Sequence, residues 1–238
     1  MRTGIFALFM LALLLLVQPA RAQFINPADM QKSDLTPAIT VAMLYYKYSH
    51  QAPDFQAWAL LSDDYKNAAD YDKLAMQDSK AKELEQSFSL LAPDEMIVAD
   101  FDGVLSDYSL QNEGYIVENF TNTMFIPFSY AGENYAVVPK GAVDKQWLSV
   151  KGMAAKSIDD LRKASKSGKN VTLTLSLASR YANQDEKVTI DGKDYRLLAA
   201  EIKSIAVFDP KGAVLWRQQP DAISPISKQQ QELLNLYK

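Results

Sequence analysis

Lys187-Val188-Thr189-Ile190-Asp191-Gly192-Lys193-Asp194-Tyr195-Arg196-Leu197-Leu198 places two short β-prone runs on either side of Asp-Gly. A two-residue hairpin turn of type I′ needs positive φ at both central positions, and Asp-Gly tolerates that at little cost. The stretch therefore reads as a β-hairpin. The same logic extends outward. Ile205-Ala206-Val207-Phe208 and Ala213-Val214-Leu215-Trp216 flank the turn signal Asp209-Pro210-Lys211-Gly212. Met124-Phe125-Ile126-Pro127-Phe128 and Tyr135-Ala136-Val137-Val138 flank Ala131-Gly132-Glu133-Asn134. Val171-Thr172-Leu173-Thr174-Leu175-Ser176-Leu177 alternates strictly, the mark of a strand with one buried and one wet face. Connections this short cannot make parallel crossovers, which need a dozen or more residues. Residues 95–217 are thus expected to form a mainly antiparallel sheet.

Upstream the periodicity is helical. Ser33 or Asp34 can cap a helix with Pro37 near its first turn, running to about His50. Phe55, Trp58, Leu61 and Tyr65 then make a helical stripe, and Asp70 can cap a third helix ending near Leu91. In that third helix Tyr71, Leu74, Leu84, Phe88 and Leu91 would face inward, and Pro93 stops it. One more helix is expected at 157–167, closed by Gly168, and a short C-terminal one at 228–237. Helices over 33–91 followed by a hairpin-rich sheet give an α+β fold, with N-terminal helices packed on one sheet face. No internal repeat or low-complexity tract interrupts it, so 23–238 is expected to be one domain.

The first 22 residues read differently. Arg2 is a positive start, Ile5 to Val17 are almost wholly apolar, and Pro19 precedes Ala20-Arg21-Ala22, a small-x-small cleavage pattern. The apolar run is shorter than the roughly 20 residues of a membrane-spanning helix. The expectation is a secretory signal peptide cleaved between Ala22 and Gln23, with the mature protein periplasmic or secreted and no transmembrane segment left. Losing Arg2 and Arg21 moves the formal charge from −4 to −6. An acidic chain has no electrostatic footprint for nucleic acid. Cysteine is absent, which removes disulfides, thiolate metal sites, cysteine nucleophiles and a lipidated N-terminal cysteine. The remaining 216 residues can bury roughly 70% of their unfolded surface without such staples. The lone histidine, His50, is expected near a helix end, where it would favour the helix dipole.

Met96-Ile97-Val98-Ala99-Asp100-Phe101-Asp102-Gly103-Val104-Leu105 resembles the first motif of the haloacid-dehalogenase phosphatases, an apolar strand followed by Asp-x-Asp-Gly. The resemblance implies Asp100 as a nucleophile forming an aspartyl-phosphate, Asp102 as general acid, and both as ligands of Mg²⁺. Ser176 or Ser179, Lys203 and Asp209 would be its later partners in order. That family is built on a parallel sheet, which a series of hairpins does not provide, and Asp209 is followed by proline rather than a second acid. The other reading of Asp102-Gly103 is a turn or bulge closing a strand at 95–101. A second resemblance is to a family of small exported bacterial proteins of unknown function. It rests on Leu105-Ser106-Asp107-Tyr108-Ser109-Leu110, Gly114-Tyr115-Ile116-Val117, Asp191-Gly192 and Leu198-Ala199-Ala200-Glu201-Ile202, and it implies no activity.

Aromatic residues crowd residues 108–135, and Tyr108, Tyr115, Tyr130 and Tyr135 would stack on a ligand such as a sugar if exposed, or fill the sheet's core if not. Lys151, Lys156, Arg162, Lys163, Lys166 and Lys169 form a basic stretch interleaved with Asp159 and Asp160, as on a solvated helix face. Asn119 and Asn170 each start an Asn-x-Thr triplet, the acceptor pattern for glycosylation in a eukaryotic secretory pathway. The expected function is a non-enzymatic exported binding or envelope-accessory protein. It needs no cofactor, and its partner would be an envelope protein or a small ligand. The alternatives are the Mg²⁺-dependent phosphatase and an exported inhibitor or immunity-type protein.

Overall fold

The computed structural model describes residues 37–184 and 187–218, which belong to a single compact unit. The expected leader, its expected cleavage site at Ala22 and Gln23, and the helix expected at 228–237 lie outside the described residues. Four helices precede the sheet: α1 (Pro37–Tyr48), α2 (Phe55–Ala59), α3 (Asp63–Asn67) and α4 (Lys73–Leu90). The strands are β1 (Met96–Val104), β2 (Gly114–Ile116), β3 (Ile126–Tyr130), β4 (Glu133–Lys140), β5 (Trp147–Ser149), β6 (Asn170–Ala182), β7 (Val188–Ile190), β8 (Lys193–Phe208) and β9 (Val214–Arg217). Helix α5 (Gly152–Ala164) lies between β5 and β6. The fold is α+β: a seven-stranded sheet in the order β1-β6-β8-β4-β3, with β7 and β9 also on β8, and a separate pair β2-β5. Every ladder is antiparallel except β4-β8, which runs parallel from Asn134 opposite Tyr195 to Lys140 opposite Glu201.

Helix α1 is apolar almost all round, so it is buried rather than half-wet. Val41, Ala42, Met43 and Leu44 are wholly covered, and the helix packs against β1, β3, β4, β6 and β8. Val171, Leu173, Leu175 and Leu177 of β6 and Ile97 and Ala99 of β1 meet it, the inward set that the alternation in β6 announces. His50 follows α1 with φ of 54°. Its N–H donates to the Lys47 carbonyl (3.2 Å) and that of Gln51 to the Tyr46 carbonyl (3.0 Å), the paired bonds of a left-handed helix stop. His50 therefore ends the helix with its backbone, and its side chain is exposed.

Three expectations are corrected. The stripe from Phe55 to Tyr65 is two short helices, because Ser62 breaks it: its hydroxyl accepts from the Tyr65 N–H (3.2 Å) and starts α3. Tyr71 and Leu74 do not face inward; they are 87% and 72% exposed, since α4 packs mainly on the small α2 and α3 and has little sheet to cover. Helix α5 begins five residues before the expected 157, at Gly152. The hairpins at 131–132, 191–192 and 209–212 form as expected, and Ala131-Gly132 and Asp191-Gly192 all have positive φ.

Candidate functional site

Asp100 and Asp102 lie in the body of β1, which is an edge strand paired only with β6 and antiparallel to it. Asp102-Gly103 is neither a turn nor a bulge: the ladder runs unbroken from Met96 opposite Ala178 to Val104 opposite Asn170. Gly103 is there for close approach. A Cβ at that position would sit 2.6 Å from Leu173 Cδ1, so the larger residue on β6 occupies the space. Alternation sends Ile97, Ala99 and Gly103 to the core and leaves Asp100 and Asp102 exposed on the opposite face.

Each carboxylate is held across the ladder. Thr174 Oγ1 donates to Asp100 Oδ1 (2.7 Å), and Asn170 Nδ2 donates to Asp102 Oδ2 (2.5 Å). Beside them lies a groove of about 580 Å³. Asp100, Asp102, Thr172 and Thr174 come from β1 and β6, Leu161, Ala164 and Ser165 from the end of α5, and Phe208, Asp209 and Pro210 from the start of the β8–β9 turn. Asp209 Oδ1 accepts from the Lys211 and Ala213 N–H groups (2.8 Å each), which fixes that turn. Among the described residues none of these three aspartates is in an ion pair, whereas Asp159, Glu133 and Glu201 each engage two cations.

The phosphatase assignment is only partly assembled. Asp100, Asp102 and Asp209 share the groove, but Ser176, Ser179 and Lys203 do not line it. The parallel sheet that this resemblance implies is not what carries Asp100. Among the described residues no group of three or more His, Asp or Glu side chains could hold a metal ion.

No family model, curated protein or solved structure matches this chain.

The site is therefore read from its own geometry. The tyrosine candidates belong to the interior. Tyr115 and Tyr135 are fully covered, and Tyr108 and Tyr130 are half-buried against the same core. Tyr115 OH donates to the Ala155 carbonyl (2.9 Å), tying β2 to α5, and Tyr108 OH donates to the Val150 carbonyl (3.0 Å) just after β5. Burial pushes the Tyr115 phenol up to about 12, with the Asp159 charge adding to the rise, so it stays neutral. Tyr130 meets Trp58 edge-on at 4.8 Å and Tyr135 meets Tyr45 at 5.7 Å, which joins helices to sheet. Tyr115 and Tyr135 serve the core, while Tyr108 and Tyr115 also border a small cavity beside α5.

The basic stretch contains one buried member. The Arg162 side chain is 10% exposed; its Nη1 donates to Asp107 Oδ1 (2.9 Å) and its Nη2 to Asp159 Oδ1 (3.0 Å). A smaller cavity of about 370 Å³ lies there, but the guanidinium that borders it is already satisfied. Asn119 and Asn170 are likewise committed. Asn119 Nδ2 donates to the Asp102 carbonyl (2.9 Å), and Asn170 is bonded to Asp102 and Ser167. No helix among the described residues is long and apolar enough to cross a membrane.

Residues Leu161, Thr172, Thr174 and Phe208 carry no chemical signature in sequence. Only the alternation of β6 marked Thr172 and Thr174 as outward-facing. Their meeting with Asp100 depends on the β1-β6 register, which sequence patterning leaves open.

Proposed function

We propose that this chain is an exported, non-catalytic binding protein, acting in the periplasm or outside the cell, whose ligand site is the groove beside Asp100 and Asp102. The observation that carries the binding reading is a set of three aspartates around one open groove that have no cation partner among the described residues. They stand beside hydroxyls and an apolar border from Leu161, Phe208 and Pro210. A ligand bearing positive charge and some apolar surface is the complement: its cation supplies the missing partner, and the border desolvates its stem. The carboxylates are oriented by Thr174 and Asn170, which suits holding a ligand in one pose. Export rests on Arg2, the apolar run and Ala20-Arg21-Ala22.

Three measurements test this. The protein recovered from the cell envelope or the medium should begin at Gln23, whereas a chain kept whole in the cytoplasm would overturn export. Spermidine titrated calorimetrically into the purified protein should bind saturably at low salt, and the paired substitution Asp100→Asn, Asp102→Asn should weaken it by about ten-fold. Binding indifferent to that substitution would overturn the groove. Mg²⁺-dependent hydrolysis of p-nitrophenyl phosphate, abolished by Asp100→Asn, would replace the non-catalytic reading with the phosphatase.

A further inference from the structure

Strand β1 is nine residues long and ends the sheet. Its hydrogen bonds show which way each backbone group points. Leu105 N–H donates to the Lys169 carbonyl (2.9 Å), on the β6 side. Val104 N–H donates instead to Asn119 Oδ1 (2.8 Å), the Val104 carbonyl accepts from the Glu118 N–H (2.7 Å), and the Asp102 carbonyl accepts from Asn119 Nδ2. In a strand the N–H and C=O of one residue point to the same side and alternate along the chain. Even-numbered residues of β1 thus direct their backbone away from β6. Asn119 acts as a short artificial strand at one end of this edge and satisfies it only from Asp102 onward. The outward N–H and C=O of Val98 and Asp100, and the outward N–H of Asp102, have no partner among the described residues.

We propose that this edge is the docking strip for an extended segment of a partner protein with basic residues at alternate positions, which adds to the sheet beside β1. The inference rests on the groove reading and names its ligand class. Strand addition supplies main-chain hydrogen bonds, and alternate side chains supply the selection. Side chains directly opposite each other on adjacent strands stand about 5 Å apart on one face. Asp100 and Asp102 are alternate residues on the exposed face, so they meet alternate residues of the incoming segment, and lysine or arginine there completes two ion pairs. A second copy of this chain is the poorer occupant, because antiparallel self-pairing crowds the Asp100 and Asp102 carboxylates of both copies onto one face. The clip at Asn119 ends the strip and sets its register.

The test uses the purified protein and two short blocked peptides, one alternating threonine with lysine and the other threonine with glutamate. The lysine peptide should bind at least ten-fold more tightly, and hydrogen exchange at the Val98 and Asp100 amides should slow when it is present. Val98→Pro is the discriminating variant. Its lost N–H points outward, so the pairing with β6 survives, yet strand addition should fail and binding of the lysine peptide fall at least ten-fold. Circular dichroism and the melting temperature establish that the variant is folded, and Val98→Thr serves as the control that keeps the N–H. A folded Val98→Pro protein that binds the lysine peptide like the unsubstituted one overturns the proposal. If Asp100→Asn, Asp102→Asn abolishes binding while Val98→Pro does not, the groove stands and strand addition falls. Binding that appears only after residues 219–238 are deleted gives the edge to the chain's own tail and also overturns it.

Discussion

His50 adopts a left-handed backbone conformation with an exposed side chain, a position where a Cβ costs roughly 1 kcal/mol and glycine costs nothing. His50→Gly should therefore raise stability by about 0.5–1 kcal/mol despite the extra freedom of the unfolded chain, read as a higher melting temperature. Gly103 is the opposite case. Gly103→Ala drives a methyl into Leu173 and should cost about 1–3 kcal/mol in chemical denaturation. Leu173→Ala alone opens a cavity and should cost about 2–5 kcal/mol. The double variant should cost less than the two single changes together, because each relieves the other's fault. Arg162→Ala should destabilise by about 2 kcal/mol, less than a wholly buried pair would, since Asp107 is exposed and Asp159 keeps Lys163.

Among the elements, β1 offers the sharpest contrast. Ala99→Pro removes an N–H that faces β6 and should unfold the protein or cost about 3 kcal/mol or more, while Val98→Pro one residue away leaves the ladder intact. That contrast separates what the sequence discloses from what it hides. The alternation of residues 171–177 and the turn pairs at 131–132 and 191–192 declared strand, hairpin and inward face, because those depend on neighbours along the chain. The partner of β1 was hidden, because its match with β6 joins segments more than sixty residues apart and depends on Gly103 fitting under Leu173. Tyr71 and Leu74 misled for a related reason. Their spacing is helical, but whether a helix face is covered depends on what packs over it. Asp100 was legible as a carboxylate on a strand, and its groove was not, because Leu161 and Phe208 arrive from elements remote in sequence.

For the molecule as a whole, acid is the expected weakness. Glu133 sits where β4 meets the β7–β8 hairpin; burial alone would raise its carboxyl, but hydrogen bonds from Lys187 and Arg196 and their charges outweigh that and hold it below the usual glutamate range. A carboxylate lowered in the folded state contributes stability above the ordinary glutamate range, and that contribution is lost as pH falls through its folded value. The melting temperature of the unsubstituted protein should exceed that of Glu133→Gln at neutral pH, and the gap should close as pH falls below the ordinary glutamate range and through the lowered folded value. A gap that persists in acid would remove Glu133 from this role.

Strand β8 has a consequence in time rather than in space. It is 16 residues long, pairs with β4, β6, β7 and β9, and begins only at Lys193. A ribosome must finish most of the chain before the strand that joins the halves of the sheet exists. The parallel β4-β8 ladder then closes a loop of about sixty residues, a slow step of the kind that puts folding in the millisecond-to-second range. Until then α1 with the β1-β6 pair and the β3-β4 hairpin lack the strand that unites them in one sheet. A chain ending before residue 193 should accordingly be degraded by a dilute protease within the time the full-length protein survives intact.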